Sequence, residues 1–541
     1  MSRWRGNPWA ILLTLSLGFF MTLLDLTIVN IAIPSMIDKL DASLDEVLWV
    51  VNAYILVLAV LLITAGRLGD LWGKKNLFIA GVALFTLSSL ACGIAQDPVQ
   101  LIAARAVQGL GAALLMPQTM SMIISVFPPE RRGAALGVWG AVAGVSTIAG
   151  PTVGGLLVTS LDWRWIFFVN LPIGILVLAM AVPILPGHTR TVRHKFDMTG
   201  VVLASASLFC FVFALTEGQK YDWNTGIWAL IGGGLVLFVI FVLHQRGRQD
   251  GEPLVPFSLF KDRNFTILNF VGAAVSVGMI GMFLPMTIYM QSVLGFSALK
   301  AGLVMAPSSL MSMFLAPVAG RLSDRIGGKF ILMAGLTLYA VGMLWLIAVA
   351  GVGTDWTAFI APLVISGIGI GGVFAPMATE ATRNVPPRLA GAASGVNNTI
   401  RQVGSVLGSA AVGAVLQNQL ASSLRDEAAT RSTALPPDVR PGFVQGFAQA
   451  AKGGLEVGAG QSGAKQQLPP GVPPNVAHRV QEVAGQVFSH GFVHAMKPTM
   501  ILPIAVILLS AAACLTLKGH VSAQEGDALE PPLRAGRSSH S

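Results

Sequence analysis

The sequence predicts an all-α integral membrane protein: two six-helix bundles with two extra transmembrane helices between them, about fourteen spans in all. Three observations predict it. Of 541 residues, 54% are hydrophobic and only 11% are charged, against about 25% in an ordinary soluble domain, and the mean hydropathy is +0.70; so few ionisable groups cannot coat a soluble globule of this size. Apolar windows long enough to cross about 30 Å of hydrocarbon follow one another through most of the chain. A charged, glycine-punctuated decapeptide, GRLGDLWGKK at 66–75, returns as GRLSDRIGGK at 320–329.

The windows begin near residues 11, 47, 76, 100, 134, 165, 198, 225, 265, 301, 330, 357, 391 and 498. Backbone polar groups in lipid must be paired inside a helix, so nearly every residue from 8 to 417 reads as span or short connector. The amino terminus, MSRWRGNPWAILLTLSLGFF, has the basic start of a signal peptide. Its apolar run continues to about Ile33 without a small-residue cleavage site, so it is read as a retained first span. Residues 418–496 form the largest segment outside the spans. Rich in Gly, Pro, Gln and Ala, as in AGQSGAKQQLPPGVPP, they are expected to be loosely ordered. Their last stretch, VAHRVQEVAGQVFSHGF, has helical spacing and is expected to extend the final span.

Cys92, Cys210 and Cys514 all lie in apolar runs, so they offer neither a disulfide framework nor metal-site spacing. The formal charge of +9 would suit nucleic acid only if the basic residues shared one soluble face; here they are scattered over short loops. Their placement sets orientation instead. With the amino terminus in the cytoplasm, inside segments carry 22 of the 35 Lys and Arg residues and short outside loops carry 4, which puts both termini on the cytoplasmic side of a cell membrane.

Both decapeptides then fall on the cytoplasmic side, the first between spans two and three, the second between spans ten and eleven. They match at Gly66/Gly320, Arg67/Arg321, Leu68/Leu322, Asp70/Asp324, Gly73/Gly327 and Lys75/Lys329. Parallel repeats build two bundles around a midplane site in some transporters, and an offset of eight spans is one six-span half plus two. The expected organisation is a bundle over 1–190, two extra helices and a cytoplasmic linker over 191–263, a second bundle over 264–517 that includes loop 418–496, and a tail over 518–541.

Several stretches carry a specific resemblance. Leu24 to Pro34 read LDLTIVNIAIP, RAVQGLGAALLMP begins at Arg105, GPTVGG supplies Gly150, Pro151, Gly154 and Gly155, and WRWIFFVNLPIG begins at Trp163. With GRLGDLWGKK, these make the chain similar to members of the major facilitator superfamily, in the fourteen-span drug:proton antiporter branch of EmrB/QacA type. The resemblance implies the major facilitator fold and proton-coupled export of amphipathic or cationic small molecules by alternating access. Export direction rests mainly on GPTVGG.

The residues support that reading on their own terms. Asp25 is the only carboxylate deep within the amino-terminal half, and an intramembrane charge costs several kcal/mol unless paired or neutralised. At 1.5 Å per residue, Asp25 and Arg105 lie at about one depth. Burial favours the neutral carboxyl and a guanidinium favours the carboxylate, so motion between two settings would load and release a proton. Gly66, Arg67, Asp70, Gly73, Lys74, Arg321 and Asp324 are expected to form a gate at the bundle ends, where carboxylates favour helix amino termini. Gly140, Gly144 and the GPTVGG glycines thin one face of span five, and Pro151 invites a bend. GIGIGG at 367–372 lies in a span and follows no strand, so it is read as helix packing.

Asn30, Gln108, Trp139, Asn397, Asn398 and Arg401 are candidates for the substrate cavity. Glu380 is placed near the inner end of span twelve, reaching water or Arg383, and Glu217 and His244 at solvated ends of the extra helices. No G-x-x-x-x-G-K-S/T segment is present, so an ion gradient rather than ATP is the expected energy source. No cofactor or metal is expected. The expected partners are a small-molecule substrate, protons and membrane lipids, with the chain acting as a monomer. Enzyme chemistry would need clustered His, Cys or carboxylates at one depth, and a sensor would normally append a soluble domain. The remaining alternative keeps the fold and changes the cargo to a siderophore, dye or lipid-like metabolite.

Overall fold

The structure, a computed structural model, describes residues 6–187, 197–218, 220–249, 251, 253–452 and 474–518. Residues 188–190 at the end of the expected first bundle, 191–196 of the expected linker region, most of AGQSGAKQQLPPGVPP and the tail after Lys518 lie outside the described residues. Helices follow one another in the order α1 Pro8–Leu40, α2 Leu44–Trp72, α3 Lys74–Ile94, α4 Pro98–Val126, α5 Pro129–Ser160, a single turn α6 Trp165–Phe168 and α7 Asn170–Ile184. The extra pair is α8 Met198–Glu217 and α9 Thr225–Arg246, followed by the short α10 Ser258–Lys261. Then come α11 Arg263–Ile288, α12 Ala298–Ile326, α13 Lys329–Val349, α14 Ile360–Gly371, α15 Phe374–Thr382, α16 Ala390–Arg431, α17 Arg440–Lys452 and α18 Pro474–Ala513. Among the described residues there is no strand.

Thirteen helical segments of the described residues are long and apolar enough to cross a bilayer. The expected fifth span corresponds to α5, 32 residues long, which is not among the thirteen, so this measure does not reach the expected fourteen. The helix starts are written locally. Asn7 accepts from Trp9 N–H with Pro8 in the first turn, Ser43 and Glu46 close a capping box, and Asp97 accepts from Gln100 N–H ahead of α4. The decapeptide glycines do one shared job. Gly73 and Gly327 turn α2 into α3 and α12 toward α13 at φ of 96° and 85°, a backbone setting that side chains rarely adopt.

The amino-terminal helices meet the carboxyl-terminal ones along two seams, α2 with α16 and α5 with α12. Glycine makes both close. A Cβ added at Gly66 would lie 2.5 Å from the Gly391 carbonyl oxygen and 2.8 Å from Gly395 Cα, and one added at Gly137 would lie 2.6 Å from the Ala316 oxygen. Gly66→Leu is therefore expected to cost about 1–3 kcal/mol by overpacking, seen as a lower unfolding temperature in detergent.

The extra helices pack on each other, and α8 also contacts α2 and α16. The exposed side chains Leu235, Val236, Phe238, Val239, Ile240 and Leu243 of α9 suit a lipid-facing surface.

The described parts of 418–496, residues 418–452 and 474–496, differ from expectation. Helix α16 runs to Arg431, α17 occupies 440–452, and α18 already spans 474–496 before its apolar stretch. Leu416, Leu420, Leu424 and Ala428 recur every fourth residue and are buried in one cluster with Val480, Ala484, Val487 and Phe492. This periodic apolar face outweighs an average composition diluted by Gly, Ala and Gln. The expected extension of the final span by VAHRVQEVAGQVFSHGF is present.

Candidate functional site

A fully buried polar network lies where α1, α2, α3, α4 and α7 converge. Asp25 is completely shielded and Arg105 nearly so; Arg105 Nη1 stands 2.5 Å from Asp25 Oδ2. Gln108 Nε2 and Asn170 Nδ2 donate to Asp25 Oδ1 at 3.0 and 3.1 Å. Arg105 also donates from Nε to the Val50 carbonyl at 3.0 Å and from Nη1 to Gln108 Oε1 at 2.7 Å. Its Cζ lies 4.3 Å from the centroid of the Tyr54 ring. Ser89 Oγ accepts from Gln108 and Asn170 and donates to the Phe167 carbonyl at 2.9 Å.

Two opposite charges in a dry interior persist only when their remaining donors and acceptors are met, and these neighbours meet them. Two polar atoms stay unpaired, Tyr54 Oη and Asn170 Oδ1, so the network keeps capacity for a second arrangement.

Sequence reasoning placed Asp25 and Arg105 at one depth and missed Ser89, Asn170 and Tyr54. The available signal for Asn170 was its position as the lone amide in WRWIFFVNLPIG.

Several cavity candidates lie elsewhere than expected. Gln108 is fully buried in the ion-pair network rather than lining a cavity. Asn397 donates to Asn269 Oδ1 at 3.1 Å and Asn398 to the Ser394 carbonyl at 2.9 Å. Both are buried, because an amide in an apolar helix bundle must spend its donors on protein. Trp139 is buried and stacks on Phe19 with ring centroids 4.3 Å apart. Asn30 is exposed and donates to its own helix at Leu26. Arg401 is half-buried on α16.

The gate residues form a reciprocal pair of caps. The Asp70 carboxylate accepts from Gly391 and Ala392 N–H, both at 2.9 Å, in the first turn of α16. The Asp324 carboxylate accepts from Gly133 and Ala134 N–H near the start of α5 at 2.8 and 2.9 Å. Each decapeptide thus sends its acid to a helix start of the other half, where unpaired N–H groups and the helix dipole favour negative charge.

The lysines repeat as well. Lys75 Nζ donates to the Val182 and Leu185 carbonyls at 2.7 and 3.0 Å, and Lys329 Nζ to those of Leu515 and Leu517 at 2.6 and 3.0 Å. Lys74 Nζ lies 3.9 Å from Asp70 and donates to Ser125 Oγ at 2.7 Å, and Arg67 is buried beside them. Arg321, expected in the same set, is exposed; long basic side chains keep their heads in water where no buried partner is within reach.

The small face of α5 touches both sides of the molecule. A Cβ on Gly150 would lie 2.6 Å from Thr27 Cβ and one on Gly154 2.7 Å from Ile28 Cγ1, both on α1 just beyond Asp25. On Gly144 and Gly155 the nearest atoms are Ser309 O at 2.9 Å and Leu299 Cδ1 at 4.0 Å, both on α12. Pro151 falls within the same helix.

Peripheral charges are tied down. Glu380 Oε1 accepts from Arg383 at 2.8 Å and from Gly328 N–H at 2.6 Å. Glu217 is buried and accepts from Asn52 at 3.2 Å; the expected solvated end is instead a hydrogen-bonded joint between α8 and α2. His244, likewise expected to be solvated, lies 3.0 Å from Asp197. Asp197 also accepts from Gln245 Nε2 at 2.7 Å and Gly200 N–H at 3.0 Å.

Burial pushes the Asp197 carboxyl up, but the His244, Gly200 and Gln245 hydrogen bonds outweigh it and hold it below the usual carboxylate range. The sign follows from linkage: this contribution to stability is present above the ordinary carboxylate pKa and is lost as pH falls through the depressed value. Asp197→Asn is expected to lower the unfolding temperature at pH 7 and to flatten its acid-side decline, measured by thermal scans across pH.

Stacked membrane helices, a sequestered carboxylate–guanidinium pair and reciprocal caps between two halves define a membrane-embedded secondary transporter. The chain belongs to the Major Facilitator Superfamily, whose family model matches residues 15–409. It is 40% identical over 514 residues to an uncharacterized MFS-type transporter of Mycobacterium tuberculosis, covering 94% of this chain and 81% of that one. It is 33% identical over 518 residues to the tetracenomycin C resistance and export protein of Streptomyces glaucescens, covering 94% and 92%. The human organic anion transporter MFSD10 superposes with a TM-score of 0.58 at 10% identity, covering 93% of this chain and 99% of that one, a likeness of fold alone. The protein is a multi-pass plasma-membrane protein of the kind found in bacteria.

Proposed function

We propose that the chain is a proton-coupled exporter of small amphipathic or cationic molecules, an efflux pump working by alternating access and acting as a monomer without enzymatic activity. The observation that carries the reading is the buried Asp25–Arg105 pair, in a chain whose relatives include an antibiotic resistance and export protein.

Protonating Asp25 removes one charge of the pair. The neutral carboxyl then no longer forms an ion pair with Arg105 and holds it more weakly, and the guanidinium leans more on Gln108, Val50 and the Tyr54 ring. Asp25 is two and three residues from Thr27 and Ile28, which pack on Gly150 and Gly154. Movement of α1 at Asp25 is thereby passed to α5, whose start is held by Asp324. In this scheme the bundles over 1–190 and 264–517 rock about a central site, and the Asp70 and Asp324 caps close the cytoplasmic end, with both termini on that side.

For a neutral cargo, one proton moving down about 100 mV supplies about 2.3 kcal/mol, enough for more than a ten-fold accumulation. The test is substrate-stimulated proton release in proteoliposomes, with a panel of antibiotics and dyes and Asp25→Asn as the control. A panel in which no compound moves protons in the wild type would overturn the reading.

A further inference from the structure

Arg105 and Arg401 both lie deep within membrane-spanning helices, and they are provisioned differently. Arg105 has an aromatic face, a carboxylate, an amide and a carbonyl. Arg401, about 16 Å into α16 at 1.5 Å per residue, has only the aromatic face: its Cζ lies 5.1 Å from the centroid of the Phe374 ring. Its Nε is buried and without a hydrogen-bond partner.

Among the described residues, no carboxylate of segment 264–417 is free to serve it. Between residues 264 and 417 the chain contains only Asp324, Asp355 and Glu380. Asp324 caps α5, Asp355 accepts from Thr357 N–H and Oγ1 at 2.9 and 2.7 Å, and Glu380 holds Arg383 and Gly328.

The location is the one a cargo would visit. Phe374 opens α15 just after the break that separates it from α14. A Cβ added to Gly140 of α5 would come within 3.7 Å of Phe374 Cβ, so the ring stands at the seam between the halves, where parallel-repeat transporters place their midplane site. An uncompensated guanidinium at that depth is costly. Since Asp25 and Arg105 cancel, it leaves one net positive charge among the intramembrane groups.

We infer that the cargo itself brings the missing negative charge: Arg401 and Phe374 form a recognition site for a carboxylate or phenolate carried on a flat apolar body. The inference rests on the efflux reading and narrows its cargo. Guanidinium donors match a planar carboxylate in pairs, and the Phe374 ring supplies an apolar face for the body of the molecule. A cation of the same shape meets like charge in a medium of low dielectric. Transport acquires an electrical signature too. An anion leaving and a proton entering both move positive charge inward, whereas a cation leaving against one proton moves none.

Equilibrium dialysis of the full chain in nanodiscs, without a gradient, tests the site with two probes of one shape, 1-naphthoate and 1-naphthylmethylammonium. Wild type is expected to bind the carboxylate at least about ten-fold tighter than the ammonium. Arg401→Gln is expected to lose that preference while keeping ammonium binding, and Arg401→Lys to retain part of it. Carboxylate binding within about two-fold of wild type in Arg401→Gln, or a wild-type preference for the ammonium, overturns the site. If Arg401→Gln binds neither probe, Arg401→Lys decides: carboxylate binding retained sustains the proposal, and its loss with ammonium binding intact overturns it.

Proton-driven movement of the same probes in proteoliposomes separates the two readings. Arg401-dependent binding with no driven movement refutes efflux and leaves the site standing. Driven export of the ammonium alone, indifferent to Arg401, refutes the site and leaves efflux standing.

Discussion

Asp25→Asn is expected to reduce substrate-stimulated proton release by at least about ten-fold in proteoliposomes. The amide keeps the size of the carboxyl, but its single oxygen can accept either from Arg105 or from Gln108 and Asn170, not from both sides, and it neither carries charge nor takes up a proton. Removing one partner of a buried pair leaves the other uncompensated, at a cost of about 3–5 kcal/mol, so some loss of thermal stability accompanies the loss of coupling. The double variant Asp25→Asn with Arg105→Gln separates the two effects. It is expected to regain stability by removing the orphaned charge and to regain no proton coupling. Normal pumping by Asp25→Asn would place the proton site elsewhere.

The second large effect is expected from Asp70→Asn combined with Asp324→Asn. Together the two carboxylates accept four backbone N–H groups across the seams, and a hydrogen bond to a charged acceptor contributes about 1.5–3 kcal/mol. Loss of even one such contribution moves a two-state equilibrium by about ten-fold or more, here toward opening of the end that the caps close. Ser394 reports on it directly, since its hydroxyl donates to the Pro117 carbonyl across the seam at 2.8 Å and the side chain is fully buried. With Cys92, Cys210 and Cys514 replaced, a cysteine introduced by Ser394→Cys is expected to react with a water-soluble maleimide at least about ten-fold faster in the double variant. The single variants are expected to fall between. Equal labelling in all four proteins would mean that the caps add packing without controlling access.

Both expectations depend on pairings that were unevenly legible in the chain. The depth of Asp25 and Arg105 followed from a rise of 1.5 Å per residue, and the structure brings them to 2.5 Å. The same arithmetic says nothing about which way a side chain points around its helix. Gln108, Asn397 and Asn398 sat at plausible depths for a cavity, yet each is buried among protein partners. Asp70 and Asp324 stood out as repeated acids, while the N–H donors they accept from lie 321 and 191 residues away along the chain.

Composition and spacing were enough to establish a helical membrane protein, its parallel repeat, its motif glycines and the level of its buried acid, because these depend on how many polar groups lipid tolerates and on geometry local to one helix. Tertiary structure decided the rest. The crossed caps, the embedding of Asp25 by Ser89 and Asn170, the helical extension of α16 and α18 and the solitary charge of Arg401 all depend on how distant helix faces meet, and the azimuth of a face is set by packing against neighbours rather than by its own residues.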